Sequence, residues 1–282
     1  MTDLSNLPPL REVIARHKLS ANRRLGQNFL FDSNITRKIA RSAAPLEGRD
    51  ILEVGPGPGG LTRSLIEAGA GRILAVEKDA RFLAPLQEIA AIAPNLDIRI
   101  GDAMTFEGQR YFSSPAAIIS NLPFNLATAL LVRWLESPIW PPFWDSMTLM
   151  FQRETAERIV AGPGSKAYGR LSILAQWRSR ADLLFRVPAS AFVPKPRVDA
   201  AVISIRPCPQ PENMPSLEIL SRVTGAAFGQ RRKMLATSLS RLHPEILSLI
   251  HAADIDPRTR PEKVGVRNFC RLARLIAETD IH

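Results

Sequence analysis

Cysteine is nearly missing from these 282 residues: Cys208 and Cys270 stand far apart, with no C-x-x-C spacing. That excludes a disulfide framework and a cysteine-built zinc site. Histidine is scarce as well, because His17, His243, His251 and His282 are scattered and form no H-x-x-x-H pair. No metal is therefore expected. Long apolar runs are absent too. Nothing approaches the roughly eighteen residues a membrane span needs, and the N-terminal MTDLSNLPPLREVIARHKL has no apolar centre of the kind a secretory signal carries. A cytoplasmic protein with no membrane association is the expectation.

What the chain does have is positive charge, 37 Lys and Arg against 27 Asp and Glu, for a formal net charge of +10. Such an excess favours a polyanionic partner, nucleic acid first. Apolar runs recur at ILEV (51–54), RILAVE (72–77), LDIRI (96–100), AAIIS (116–120) and SMTLMF (146–151), separated by stretches of helical spacing such as Leu61–Ala68 and Leu83–Ala93. Strand–helix alternation of this kind predicts an α/β fold, a parallel Rossmann-like sheet covered by helices on both faces. LSILAQWRS after Gly169 reads as a helix, and AVISIRP (201–207) as a late strand. Between them the prolines of FVPKPRVD (192–199) forbid a helix. Beyond the proline-rich PCPQPENMP the pattern turns to short helices with basic residues. The expected division is a catalytic domain over 1–210, its first 21 residues an N-terminal extension, and a smaller helical domain over 211–282.

The first strand runs into Glu53-Val54-Gly55-Pro56-Gly57-Pro58-Gly59-Gly60, directly before a helix. A glycine-rich turn there lets a ligand approach the backbone at the carboxyl edge of the sheet. Gly55, Gly57 and Gly60 also satisfy G-x-G-x-x-G, so a dinucleotide stays an alternative. Three features favour S-adenosylmethionine. Glu53 completes E-x-G-x-G-x-G; Pro56 and Pro58 remove donors that a pyrophosphate would use; and Asp102 closes the third strand as Glu77 closes the second. Glu77 is then the acceptor for the ribose hydroxyls and Asp102 for the adenine amine, with Glu53 organising the glycine turn or meeting the methionine amine.

The fourth strand ends in SNLPFN (120–125). Methylating an exocyclic amine takes acceptors for its hydrogens, a ring to hold the base and in-line geometry. Asn121 offers a carboxamide oxygen, Leu122 a backbone carbonyl held extended by Pro123, and Phe124 a stacking face. No general base is needed, since the proton can leave to water once the nitrogen is cationic. Asn125 has no role beyond the turn.

These residues, with LGQNFL (25–30), EVGPGPGGLT (53–62), AVEKD (75–79), GDAM (101–104), NLPFN (121–125), FQRETAERI (151–159), FVPKPRVDAAVI (192–203) and AFGQRRKML (227–235), resemble the family of small-subunit ribosomal RNA adenine dimethyltransferases. The likeness covers about residues 22–275. It implies transfer of methyl groups to N6 of two adjacent adenosines near the 3′ end of small-subunit rRNA, within the immature subunit, by a monomer. It also implies that Asn28 and Leu30 join Gly55, Glu77, Asp102 and Asn121 as cofactor contacts. Many members have Tyr where Phe124 stands, so stacking is retained and a phenolic hydrogen bond is not expected. The densest basic clusters, Arg23-Arg24 and Arg231-Arg232-Lys233, are candidate phosphate contacts. A DNA adenine methyltransferase and a non-catalytic RNA-binding scaffold remain the competing readings.

Overall fold

The computed structural model describes residues 4, 6–22, 25–209 and 214–279. The strands are β1 (Phe29–Leu30), β2 (Asp50–Val54), β3 (Arg72–Glu77), β4 (Leu96–Ile100), β5 (Ala116–Ser120), β6 (Trp144–Gln152), β7 (Ser179–Val187), β8 (Phe192–Val193) and β9 (Ala200–Pro207). The helices are α1 (Leu10–Arg16), α2 (Ser33–Ser42), α3 (Gly60–Glu67), α4 (Leu83–Ala90), α5 (Ala127–Leu135), α6 (Arg153–Val160), α7 (Arg170–Gln176), α8 (Leu217–Gly229), α9 (Leu235–Leu239), α10 (Ile246–Ala252) and α11 (Val266–Thr279).

Seven strands make one sheet in the order β4-β3-β2-β5-β6-β9-β7. Pairing from β4 across to β6 is parallel, and β9 returns antiparallel beside β6. The continuous apolar runs predicted this: every residue of β5 is buried, and so are the last four of β2. A strand covered on both faces has no polar side to alternate with. Because β3 and β4 lie to one side of β2 while β5 and β6 lie to the other, the chain order reverses between β2 and β5. That is the switch point at which open α/β sheets hold ligands.

Two elements depart from the sequence expectation. LSILAQWRS does not continue as a helix: α7 ends at Gln176, and Ser179–Val187 forms the edge strand β7, with most of its residues exposed or half-buried. The helical spacing before it masked an edge strand, which has little apolar patterning to show. FVPKP is not merely a connection, since Phe192–Val193 pairs antiparallel with Phe29–Leu30 as a two-stranded ribbon.

The chain divides into two compact units, one of residues 1–156 and 182–207, the other of 157–181 and 208–282. The expected boundary near 210 is close to the third crossing, after Pro207. Residues 157–181, expected in the catalytic domain, belong instead to the helical unit. The reason is side-chain packing: Tyr168, Ile173, Leu174 and Trp177 join Leu220, Val223, Leu235, Phe269 and Leu272 in one apolar core, and the Tyr168 hydroxyl donates to the Val264 carbonyl at 2.9 Å.

Candidate active site

At the switch point the loops after β2 and β5 leave the sheet side by side. The Ser120 hydroxyl at the end of β5 donates to the Val54 carbonyl at the end of β2, and a Cβ added to Gly55 would already lie 3.4 Å from Pro123 Cδ. The glycine turn and the NLPF turn are thus in van der Waals contact. Between them and the N-terminal segment lies a cavity of about 280 Å³, walled by Asn28, Leu30, Gly55, Glu77, Asn121, Leu122, Pro123 and Phe124 among others. Eight of the sequence-predicted residues therefore meet in one place.

Three N–H groups of the glycine turn are already engaged. Gly55 N–H donates to Val76 O (2.9 Å), Gly59 N–H to Pro56 O (3.0 Å) and Gly57 N–H to Glu77 Oε2 (3.0 Å). Pro56 and Pro58 have no N–H to give. Gly57 has φ +55°, a left-handed conformation that side chains rarely adopt. With these three donors engaged and two prolines in the turn, fewer N–H groups remain for a pyrophosphate than in a dinucleotide site, which weighs against a dinucleotide. Acceptors remain on offer, and they suit a ligand rich in hydroxyl and amino groups. S-adenosylmethionine fits that donor set.

Glu77, 5% exposed, has its carboxylate fixed by two backbone donors, Gly57 N–H on Oε2 and Asp79 N–H on Oε1 (2.8 Å). Burial raises its pKa and those N–H groups oppose the rise. Its remaining lone pairs can accept. Asn121 has no hydrogen-bond partner among the described residues, although its carboxamide lines the cavity. Leu122 buries its side chain, Pro123 O accepts from Leu126 N (2.9 Å) and Ala127 N (3.0 Å) to start α5, and half-buried Phe124 sits edge-on to Phe192 with ring centroids 6.1 Å apart.

Asp102 is placed differently from the rest. It does not line the cavity: Oδ2 accepts from Lys78 Nζ at 2.7 Å and Oδ1 from Met104 N at 2.9 Å. The Lys78 ammonium first, then the Met104 N–H, holds its carboxyl below the ordinary range. Arg23 and Arg24 lie outside the described residues. Arg232 and Lys233 are exposed, whereas Arg231 donates Nη2 to the Lys166 carbonyl at 3.0 Å.

Several wall residues were not singled out from the sequence. Leu10 of α1 lines the cavity, and the N-terminal segment is tied down by Arg63 Nη1 on Pro8 O (2.7 Å) and by His17 Nε2 with Glu88 Oε1 (2.7 Å). Phe192, placed by the β1–β8 pairing, does not line the cavity itself but supports the Phe124 ring of its wall. Asn125 presses on the LGQN loop, where a Cβ at Gly26 would strike its carboxamide. That contact gives Asn125 a reason beyond the turn. No signal in the sequence linked these pairs, which lie more than fifty residues apart.

Glu53, 1% exposed, accepts from the Thr62 hydroxyl at 2.7 Å beneath the glycine turn. Burial pushes its pKa up to about 8, the Thr62 bond opposes this and the nearby Glu77 charge adds to it. The folded value exceeds the ordinary 4.5 of a free glutamate, so the fold favours the neutral acid. Its stabilising share is full below pH 4.5 and is lost as pH rises to about 8. Glu53→Gln keeps an acceptor for Thr62 and cannot ionise. The urea midpoint of the natural protein should therefore fall relative to that of the variant across this window, and a pH-independent difference would contradict a neutral Glu53.

The family of ribosomal RNA adenine dimethylases matches residues 18–278. The ribosomal RNA small subunit methyltransferase A of Dinoroseobacter shibae is 55% identical over 98% of this chain and 99% of its own length, and that of Paracoccus denitrificans 53% identical over 98% and 99%. Among solved structures, the 23S rRNA methyltransferase ErmE superposes with a TM-score of 0.67 at 25% identity, over 88% of this chain and 99% of that one. A dimethyladenosine transferase from Plasmodium falciparum superposes with a TM-score of 0.71 at 21% identity, over 86% and 94%, a likeness of fold. With a match over nearly its whole length and more than half its residues shared with such relatives, the chain belongs to the ribosomal RNA adenine dimethylase family.

Proposed function

We propose that the protein methylates N6 of two adjacent adenosines near the 3′ end of small-subunit rRNA, acting as a monomer on the immature subunit in the cytoplasm. The class of reaction follows from the family: an S-adenosylmethionine-dependent ribosomal RNA adenine dimethyltransferase. The observation that carries the site assignment is the unpartnered Asn121 carboxamide, set in the same cavity as the Glu77 carboxylate and the Phe124 ring.

S-adenosylmethionine supplies, when bound, a methyl group made electrophilic by its sulfonium. The protein contributes position and polarity. Glu77 accepts from the ribose hydroxyls, Asn28 and Leu30 cover the ligand from the N-terminal segment, and Gly55 admits it close to the backbone. Asp102, held by Lys78 beyond the cavity wall, accepts from the cofactor's adenine amine with a lone pair that Lys78 and Met104 leave free. Asn121 Oδ1 and the Leu122 carbonyl accept from the target amine and keep its nitrogen lone pair directed at the methyl group. Phe124 stacks on the target base, a contact worth ~1–3 kcal/mol. No side chain has to remove a proton before attack, so the want of a histidine or cysteine in the cavity wall is no obstacle. Among the described residues no helix is long and apolar enough to cross a membrane.

Phosphate contacts are assigned to Arg232 and Lys233, with Arg231 in support because part of its guanidinium already fixes the loop at Lys166. Arg23 and Arg24 are assigned the same role on sequence grounds.

Incubation with labelled S-adenosylmethionine and small subunits lacking the modification should yield N6-dimethyladenosine at adjacent positions by mass spectrometry. Label on another atom, or on duplex DNA in preference to subunits, would overturn the assignment. Asn121→Ala should cost at least about a hundredfold in single-turnover rate while cofactor affinity changes only a few-fold, as befits loss of an acceptor for the reacting amine. Replacing Arg232 and Lys233 by Gln should weaken subunit binding and lower the slope of log affinity against log salt by about one to two; an unchanged slope would place the RNA elsewhere.

A further inference from the structure

Gln27 belongs to the loop that carries Asn28, yet its side chain bonds to a different part of the molecule. Its Oε1 accepts from Asn22 N–H at 2.8 Å, closing the loop on itself, and its Nε2 donates to Asp79 Oδ2 at 3.0 Å. Asp79 lies just past the end of β3, two residues after Glu77, and is 9% exposed. Arg81 grips the same carboxylate with Nε on Oδ1 (2.9 Å) and Nη2 on Oδ2 (2.6 Å), and reaches back to the Ser20 carbonyl with Nη1 at 3.3 Å. Ser20 and Gln27 are therefore both tethered to the Asp79–Arg81 pair, whose carboxylate is nearly buried and whose guanidinium is partly exposed.

The path continues inward. Asp79 N–H donates to Glu77 Oε1, and Glu77 Oε2 takes Gly57 N–H. A hydrogen-bonded chain thus runs from the N-terminal segment through Gln27 and Asp79 to Glu77 and the glycine turn. We propose that Gln27, Asp79 and Arg81 are positioning residues that make ribose recognition by Glu77 depend on the seating of Gln27 and the adjoining Asn28, so that the placing of Asn28 against the cofactor and the capture of its ribose are one event. The inference rests on the proposed role of Glu77 as the ribose acceptor.

The chemistry suits such a coupling better than a plain packing contact. Arg81 first, with Gln27 and the Arg81 N–H adding to it against burial, holds the Asp79 carboxyl down to about 2. Asp79 is an anion at every working pH, and it would leave a lone pair unmet in a nearly buried place if the segment lifted away. Gln27 supplies an amide that serves as acceptor toward the loop and donor toward the anion. No apolar residue of the same volume can do both.

The test is calorimetric titration of S-adenosylhomocysteine into the intact protein. Gln27→Met keeps side-chain volume and drops the amide. It should weaken binding about tenfold, the equivalent of one hydrogen bond to a charged group, with little change in melting temperature. Asp79→Asn should weaken binding to a similar extent. The double variant should be no worse than either alone, because links of one chain are not additive. S-adenosylhomocysteine should also slow amide hydrogen exchange over residues 20–28 in the natural protein, and this protection should vanish in Gln27→Met. With the 2′-deoxyribose analogue the penalty of Gln27→Met should shrink severalfold, since part of the ribose contact is already gone.

Unchanged affinity in Gln27→Met, additive losses in the double variant, or an equal penalty for the deoxy analogue would each overturn the coupling while leaving the cofactor site intact. If the natural protein itself failed to discriminate the deoxy analogue, the ribose assignment of Glu77 would fall, and the coupling with it.

Discussion

Parallel pairing of β2 with β5, with Ile51 opposite Ala117 and Leu52 opposite Ile118, is the constraint on which the site depends. It brings the carboxyl ends of two strands, separated by more than sixty residues of chain, to the same level of the sheet. Both turns that follow are then forced outward together, and the Ser120 hydroxyl on Val54 O locks that level. A slip of one residue would part the Ser120 hydroxyl from the Val54 carbonyl and take the two turns off their common level.

Around this switch point the protein has arranged donors and acceptors unequally. Backbone N–H groups of the glycine turn are consumed by Val76, Glu77 and Pro56, whereas Glu77 and Asn121 keep acceptor capacity and line the cavity. Polyphosphate ligands need the opposite arrangement. A sulfonium cofactor bearing hydroxyls and amines, facing a substrate amine, matches what is offered. The same economy explains Glu53: buried and bonded to Thr62, it supports the turn from below, and its burial favours the neutral form.

Much of this was legible beforehand because it is local. Strand ends at Val54, Glu77, Ile100 and Ser120 could be read from apolar runs ending in Gly, Glu, Gly and Asn. β7 was hidden because an edge strand lacks a buried face and followed a stretch with helical spacing. The assignment of residues 157–181 to the helical unit was hidden because it depends on Tyr168 and Trp177 finding partners near Phe269, far along the chain. Asp102 was legible as a strand-end carboxylate, yet its pairing with Lys78 outside the cavity wall was not.

The sequence by itself determined six of the strands, where the chain must turn, and which residues at those turns can accept a hydrogen bond or stack on a base. Apolar periodicity, proline and glycine act within a few residues, so their consequences are readable in order. The tertiary structure alone decided that Leu10 and Gln27 line the same cavity, that Phe192 backs the Phe124 ring, that Asn125 rests on Gly26, and that Gln27 reaches Asp79. Those contacts are set by sheet order and by the β1–β8 ribbon, which bring distant segments together through packing that no local pattern encodes.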